Sequence, residues 1–159
     1  MSKGFEPSLF DKLFDDLPLG PARWRLSLEQ LKDSVARDLE VLLNTRVVFN
    51  EAVRQAFPLA AGSVAGFGLI DFVGLSLASV HDRRRICDAI ADSIAAHEPR
   101  LRDVSVELRL PRQTVNALHF SIKAMLFVRP AREPVAFDAL LQPTSLQYSV
   151  SQQRPRTGA

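Results

Sequence analysis

Two periodicities divide the chain. Up to residue 98 the apolar positions recur at steps of three and four, and beyond residue 101 they alternate. Leu28, Leu31, Val35, Leu39 and Leu42 form one helical stripe. Ser27 and Gln30 make a capping box ahead of it, which predicts a helix ending near Leu43, before Asn44-Thr45. Ile86, Ala89, Ile90, Ser93 and Ile94 form a second stripe, predicting a helix from Ser79 or Asp82 to His97. A shorter helical pattern, Leu9, Phe10, Leu13 and Phe14, stands ahead of both and should stop before Pro18, with Pro18, Gly20 and Pro21 as a linker. So short a helix is marginal alone, so its apolar face must dock on its own domain or on a partner. Between the long helices, Phe49 to Phe57 predicts a helix closed by Pro58. Ala60 to Gly74, small and glycine-rich, reads as a buried or closely packed loop.

In the second half Val104, Val106, Leu108 and Leu110 alternate with Ser105, Glu107 and Arg109. Leu118 to Val128 alternates likewise, and further strands are expected over Val135–Leu141 and Leu146–Val150. Breaks fall at Pro111–Asn116, Pro130–Glu133 and Pro143–Thr144. Such short breaks favour an antiparallel meander whose apolar face the helices must cover. The expected fold is therefore α+β, with amino-terminal helices packed on a small antiparallel sheet of three or four strands. Residues 1–21 would be a flexible terminus with the docking helix and linker, 22–151 one domain, and 152–159 a disordered tail.

The two patterns meet at Glu98-Pro99-Arg100-Leu101. Pro99 disfavours helix at Glu98 and fixes its own φ, so a carboxylate and a guanidinium are presented from a stiff joint. They can form a local ion pair or a bidentate docking point for a partner. If the pair is exposed it adds only ~0–1 kcal/mol to the fold.

Composition narrows the function. The 159 residues are 47% hydrophobic and 24% charged, which suits one globular domain with a real core. A net charge of +2 is too small for a nucleic-acid footprint. One cysteine, Cys87, rules out an internal disulfide and fits a reducing compartment. No signal-peptide pattern and no apolar run of the ~18 residues a membrane helix needs are visible, so a cytoplasmic protein without membrane insertion is expected.

Candidate chemistry is sparse. His81, His97 and His119 lack metal-ligand spacing, and Cys87 lies beside a helix stripe as a buried thiol would. Gly66-Phe67-Gly68 lacks the third glycine of a dinucleotide loop. Arg83-Arg84-Arg85 reads as a solvated basic turn, at the end of a helix that disfavours cations. Glu98, with Asp103 or Asp71, could be imagined as the carboxylate pair of a glycoside hydrolase. However, Arg100 would favour ionised Glu98, the wrong state for a general acid. Neither an enzyme, a metal, a cofactor nor a small-molecule substrate is expected.

Several stretches in order also resemble a known family. Leu42-Leu43-Asn44-Thr45-Arg46, Ser63-Val64, Phe67-Gly68-Leu69-Ile70-Asp71 and Glu98-Pro99-Arg100-Leu101 are similar to segments of the TssE family. These are baseplate wedge components of type VI secretion systems, related to the lysozyme-like wedge proteins of contractile phage tails. Phe67 and Ile70 depart from the family's usual Tyr and Pro, which weakens the expectation of a contact from that loop. The resemblance implies a structural protein that joins TssF and TssG and links the baseplate to the contractile sheath subunits TssB/TssC. Glu98, Pro99, Arg100 and Leu101 would contact the wedge core. An open sheet edge would take sheath strands by backbone pairing. Leu146, Tyr148 and Val150, last in the meander, are the candidate edge, and Leu9, Phe10, Leu13 and Phe14 a further candidate contact. A peptidoglycan hydrolase of lysozyme type is the alternative.

Overall fold

The computed structural model describes residues 4–8, 12, 25–72, 74–109, 117–129, 131–142 and 144–153. Helix α1 (Leu28–Asn44) opens as its sequence requires. The Ser27 hydroxyl accepts from the Gln30 amide, and the Gln30 side chain accepts from the Ser27 amide. Two short helices follow, α2 (Glu51–Ala56), capped by Asn50, and α3 (Pro58–Ala61), which starts on its proline. Pro58 thus ends one helix and begins the next. Helix α4 (Val80–His97) is capped by the Ser79 hydroxyl.

Strands β1 (Leu101–Arg109), β2 (Leu118–Val128), β3 (Ala131–Gln142) and β4 (Gln147–Gln152) form one antiparallel meander in that spatial order. The fold is mixed α+β. All four described helices precede the sheet, but α4 lies mid-chain rather than at the amino terminus. One core unites Leu31, Val35, Leu39 and Leu43 of α1 and Ile86, Ile90 and Ile94 of α4 with the inward residues of the sheet. Phe120, Ile122, Leu126 and Phe137 are almost fully enclosed there. Each such side chain contributes ~1.5–3 kcal/mol relative to exposure.

The strands extend beyond the expected bounds, for identifiable reasons. Strand β1 starts at Leu101, paired with Leu126, and the register then shifts between Arg102 and Ser105. This bulge, with Asp103 at φ 52, puts two positions, Arg102 and Asp103, between inward Leu101 and Val104 and so hides the alternation. Strand β3 runs through Pro134. Ala136 turns its carbonyl to the Gln153 amide on the β4 side. Pro134, two residues earlier, faces the same side beyond the end of β4, where no described strand needs its missing donor. Leu146, expected in β4, sits in the preceding turn at φ 54. Phe5 exchanges backbone bonds of 2.8 and 2.7 Å with Leu26, and the Gln153 amide donates to the Ala136 carbonyl at 2.8 Å.

The segment from 60 to 74 is not packed as a whole. Gly66 and Gly68 lie so close to Ala61 and Thr45 that no Cβ would fit, and Leu69 is buried. Val64, by contrast, is 92% exposed.

Candidate functional site

The joint between α4 and β1 is built from its backbone outward. The Glu98 amide donates to Ile94 at 2.8 Å, closing α4, and its carbonyl accepts from Leu101 at 3.1 Å, opening β1. The Arg100 carbonyl accepts from Phe127 at 2.8 Å, so the turn is stitched to β2. Glu98 Oε1 accepts from Arg100 Nε at 2.7 Å and from the Arg100 amide at 3.2 Å, while Oε2 accepts from Nη2 at 2.5 Å. The same Nη2 donates to Asp38 on α1. One guanidinium therefore ties the helix terminus, the turn and the first helix together.

This is not the exposed pair considered from sequence. The Glu98 side chain is 7% exposed, and those of Arg100 and Asp38 are 23% and 22% exposed. Burial disfavours the guanidinium charge, but the hydrogen bonds and charges of Glu98 and then Asp38 outweigh it. They hold the Arg100 proton more firmly than is ordinary for arginine. Both Glu98 oxygens are engaged as acceptors, so neither is presented to a substrate. Asp71 and Asp103 are exposed on other elements. Among the described residues no three His, Cys, Asp or Glu side chains gather as a metal site.

Asp38 was invisible to motif reading because it is 62 residues from Arg100. Its one signal is position: it stands beside Leu39 and four before Leu42, a carboxylate at the rim of the buried stripe.

Beside the joint lies a groove of about 330 Å³, walled by Leu39, Val41, Leu42, Phe67 and Pro99 with Asp38 at its rim. Val41 is 54% exposed there. Phe67 meets His97 edge-on, centroids 5.5 Å apart, and a His97 ring nitrogen lies 3.0 Å from the Gly66 carbonyl. Ser8 also borders the groove. Leu9, Phe10, Leu13 and Phe14, the candidate docking residues that follow it, lie outside the described residues.

The sheet has two edges, β1 and β4. On β4 the backbone is already engaged. Asn44 donates to the Tyr148 carbonyl and accepts from its amide, both at 2.8 Å, and Glu40 accepts from the Val150 amide at 2.8 Å. The Tyr148 and Val150 side chains point into the core, while Leu146 is exposed in the turn. On β1, Ser105, Glu107 and Arg109 face β2 through the ladder, so Val104, Val106 and Leu108 turn their backbone groups outward. The Leu108 amide is directed at the Cys87 thiol. Val104, Val106 and Leu108 are only half-buried, unlike the inward residues of β2.

No helix among the described residues is long and apolar enough to cross a membrane. A family model described as baseplate wedge protein gp25 matches residues 29–131, more than half of the chain, from α1 to the first residue of β3. No curated protein and no solved structure matches the sequence.

Proposed function

Because the chain belongs to the baseplate wedge protein gp25 family, a structural component of a baseplate by descent, we propose that it serves as the TssE wedge component of a type VI secretion system. It acts without catalysis, in the cytoplasm, binding TssF and TssG. The carrying observation is that the family match spans the elements that build the joint, α1, α4, β1 and β2. The joint fixes the orientation of α1, α4 and the sheet, which is the rigidity a wedge between larger subunits requires. The groove beside it, apolar and rimmed by Asp38, is the surface offered to TssF/TssG, with Glu98, Pro99 and Arg100 in its lining and Leu101, buried in the core, anchoring the joint.

The link to TssB/TssC runs through an added strand on β1 rather than on the Leu146–Val150 edge. The β4 backbone is occupied by Asn44 and Glu40, whereas Val104 and Val106 turn their backbone groups away from β2 along the β1 edge. Leu9, Phe10, Leu13 and Phe14, whose apolar spacing is helical, supply a further partner contact.

The test is affinity capture of the full chain with co-expressed TssF and TssG, comparing wild type with Val41→Asp. Val41 is largely exposed, so the variant should fold while charging the groove wall. Wild-type capture lost in folded Val41→Asp supports the assignment. Equal capture by both moves the contact away from the groove, and no capture of the wild type removes the wedge reading.

A further inference from the structure

The solvent face of the sheet carries a feature that the groove and the β1 edge do not use. Phe127 lies on the face of β2 opposite buried Leu126, where a large ring is not expected. It is flanked from both neighbouring strands. The Arg102 guanidinium of β1 and that of Arg132 on β3 each lie 4.9 Å from its centroid, within cation–π range. Register accounts for this: Arg132 pairs directly with Phe127, and Arg102, opposite Met125, is its diagonal neighbour.

Both arginines are exposed, and neither has a hydrogen bond or carboxylate partner among the described residues. Arg129, also exposed, stands two positions beyond Phe127 in the turn to β3. Glu133 is turned to Lys32 at 3.4 Å and does not neutralise this corner. Two guanidiniums held against one ring lose little freedom on meeting an anion, and their planar forks suit carboxylates.

We propose that Arg102 and Arg132, braced on Phe127, form a docking point for an acidic segment of a partner protein. Carboxylates fit the corner better than a nucleic-acid backbone does. The positive charge is local, the same face carries Glu107 and Asp138, and the whole chain is only +2. The site stands apart from the wedge assignment and holds or fails independently of it.

Fluorescence anisotropy of labelled hexaglutamate with the full chain at low ionic strength tests this. Arg102→Gln/Arg132→Gln is compared with Arg109→Gln/Lys123→Gln, which removes the same charge from the same face. The corner variant should weaken binding about tenfold or more, and the control by about twofold or less. Circular dichroism confirms that both fold. Equal losses would reduce the effect to net charge and overturn the site. No binding by the wild type, or tighter binding of a single-stranded oligothymidylate than of hexaglutamate, would overturn it too.

Discussion

Arg100→Ala is the sharpest perturbation of the joint, and its first effect should be on stability. The substitution removes the bonds from Nε and Nη2 to Glu98 and the bond to Asp38, but keeps the backbone donor 3.2 Å from Oε1. Glu98 is then a carboxylate with 7% exposure and no cation. Breaking a buried pair from one side costs ~3–5 kcal/mol, against ~0–1 kcal/mol for a surface pair. The retained amide and the partial exposure of Asp38 place the expected loss near the low end, about 3 kcal/mol. For a domain of this size that is a fall of about 6–12 °C in Tm. Urea unfolding measures it directly. Glu98→Gln/Arg100→Met, which removes both charges, should cost less than the sum of its two single changes, because the stranded carboxylate is gone. A loss under about 1 kcal/mol for Arg100→Ala, with additive single changes, would refute the buried-pair argument. The same reasoning governs binding experiments: lost capture by Arg100→Ala is informative only where the variant is shown to be folded.

Three further outcomes follow from other parts of the molecule. Tyr148 is the only tyrosine, and burial, opposed by Arg46 and aided by Cys87, pushes its phenol up to about 12. Absorbance at the phenolate band should therefore show a midpoint near 12 when folded and ~10 when unfolded. Between those values the unfolded state binds fewer protons, so stability is full below ~10 and falls by roughly 2–3 kcal/mol as pH rises through ~12. A folded-state midpoint near 10 would contradict the burial. Asn44→Ala should cost about 2 kcal/mol, since two backbone groups of Tyr148 lose their partner, and should speed hydrogen exchange at the Tyr148 amide; unchanged exchange would mean the β4 edge is covered otherwise. Cys87, whose thiol burial pushes up, should react with a disulfide reagent only on unfolding; rapid native labelling would show the thiol accessible.

What the sequence disclosed and what it hid separate along a physical line. The Ser27–Gln30 box, the stripes of α1 and α4 and the alternation of β2 rest on neighbours within four residues, and the structure has each of them. Where a local rule has a local exception, the pattern misleads. The bulge at Asp103 delayed the expected start of β1, Pro134 masked the first turn of pairing in β3, and Leu146 at φ 54 left the strand it was assigned to. Contacts across the fold were out of reach. Nothing near Arg100 in sequence points to Asp38, and nothing in the pattern of β4 says that Asn44, 104 residues from Tyr148, closes its edge.

Those distant contacts change how the Glu-Pro-Arg stretch must act. A guanidinium that already satisfies two carboxylates has little left to give a partner, and stripping it from them would expose the partly buried charges it compensates. The economical arrangement is for Glu98 and Arg100 to hold α1, α4 and the sheet in one orientation, while recognition falls to surfaces the fold leaves unsatisfied. On the proposed wedge role those are the groove at Val41 and Phe67 and the outward backbone of Val104 and Val106. The β1 edge admits a direct contrast. Proline at Val106 removes an outward donor and should spare the β1–β2 ladder, whereas proline at Glu107 removes a donor that β2 needs. A chain that folds as Val106→Pro but no longer accepts a strand, beside a Glu107→Pro chain that fails to fold, would place the partner on β1. Strand acceptance by folded Val106→Pro would return it to β4, with Asn44 and Glu40 displaced.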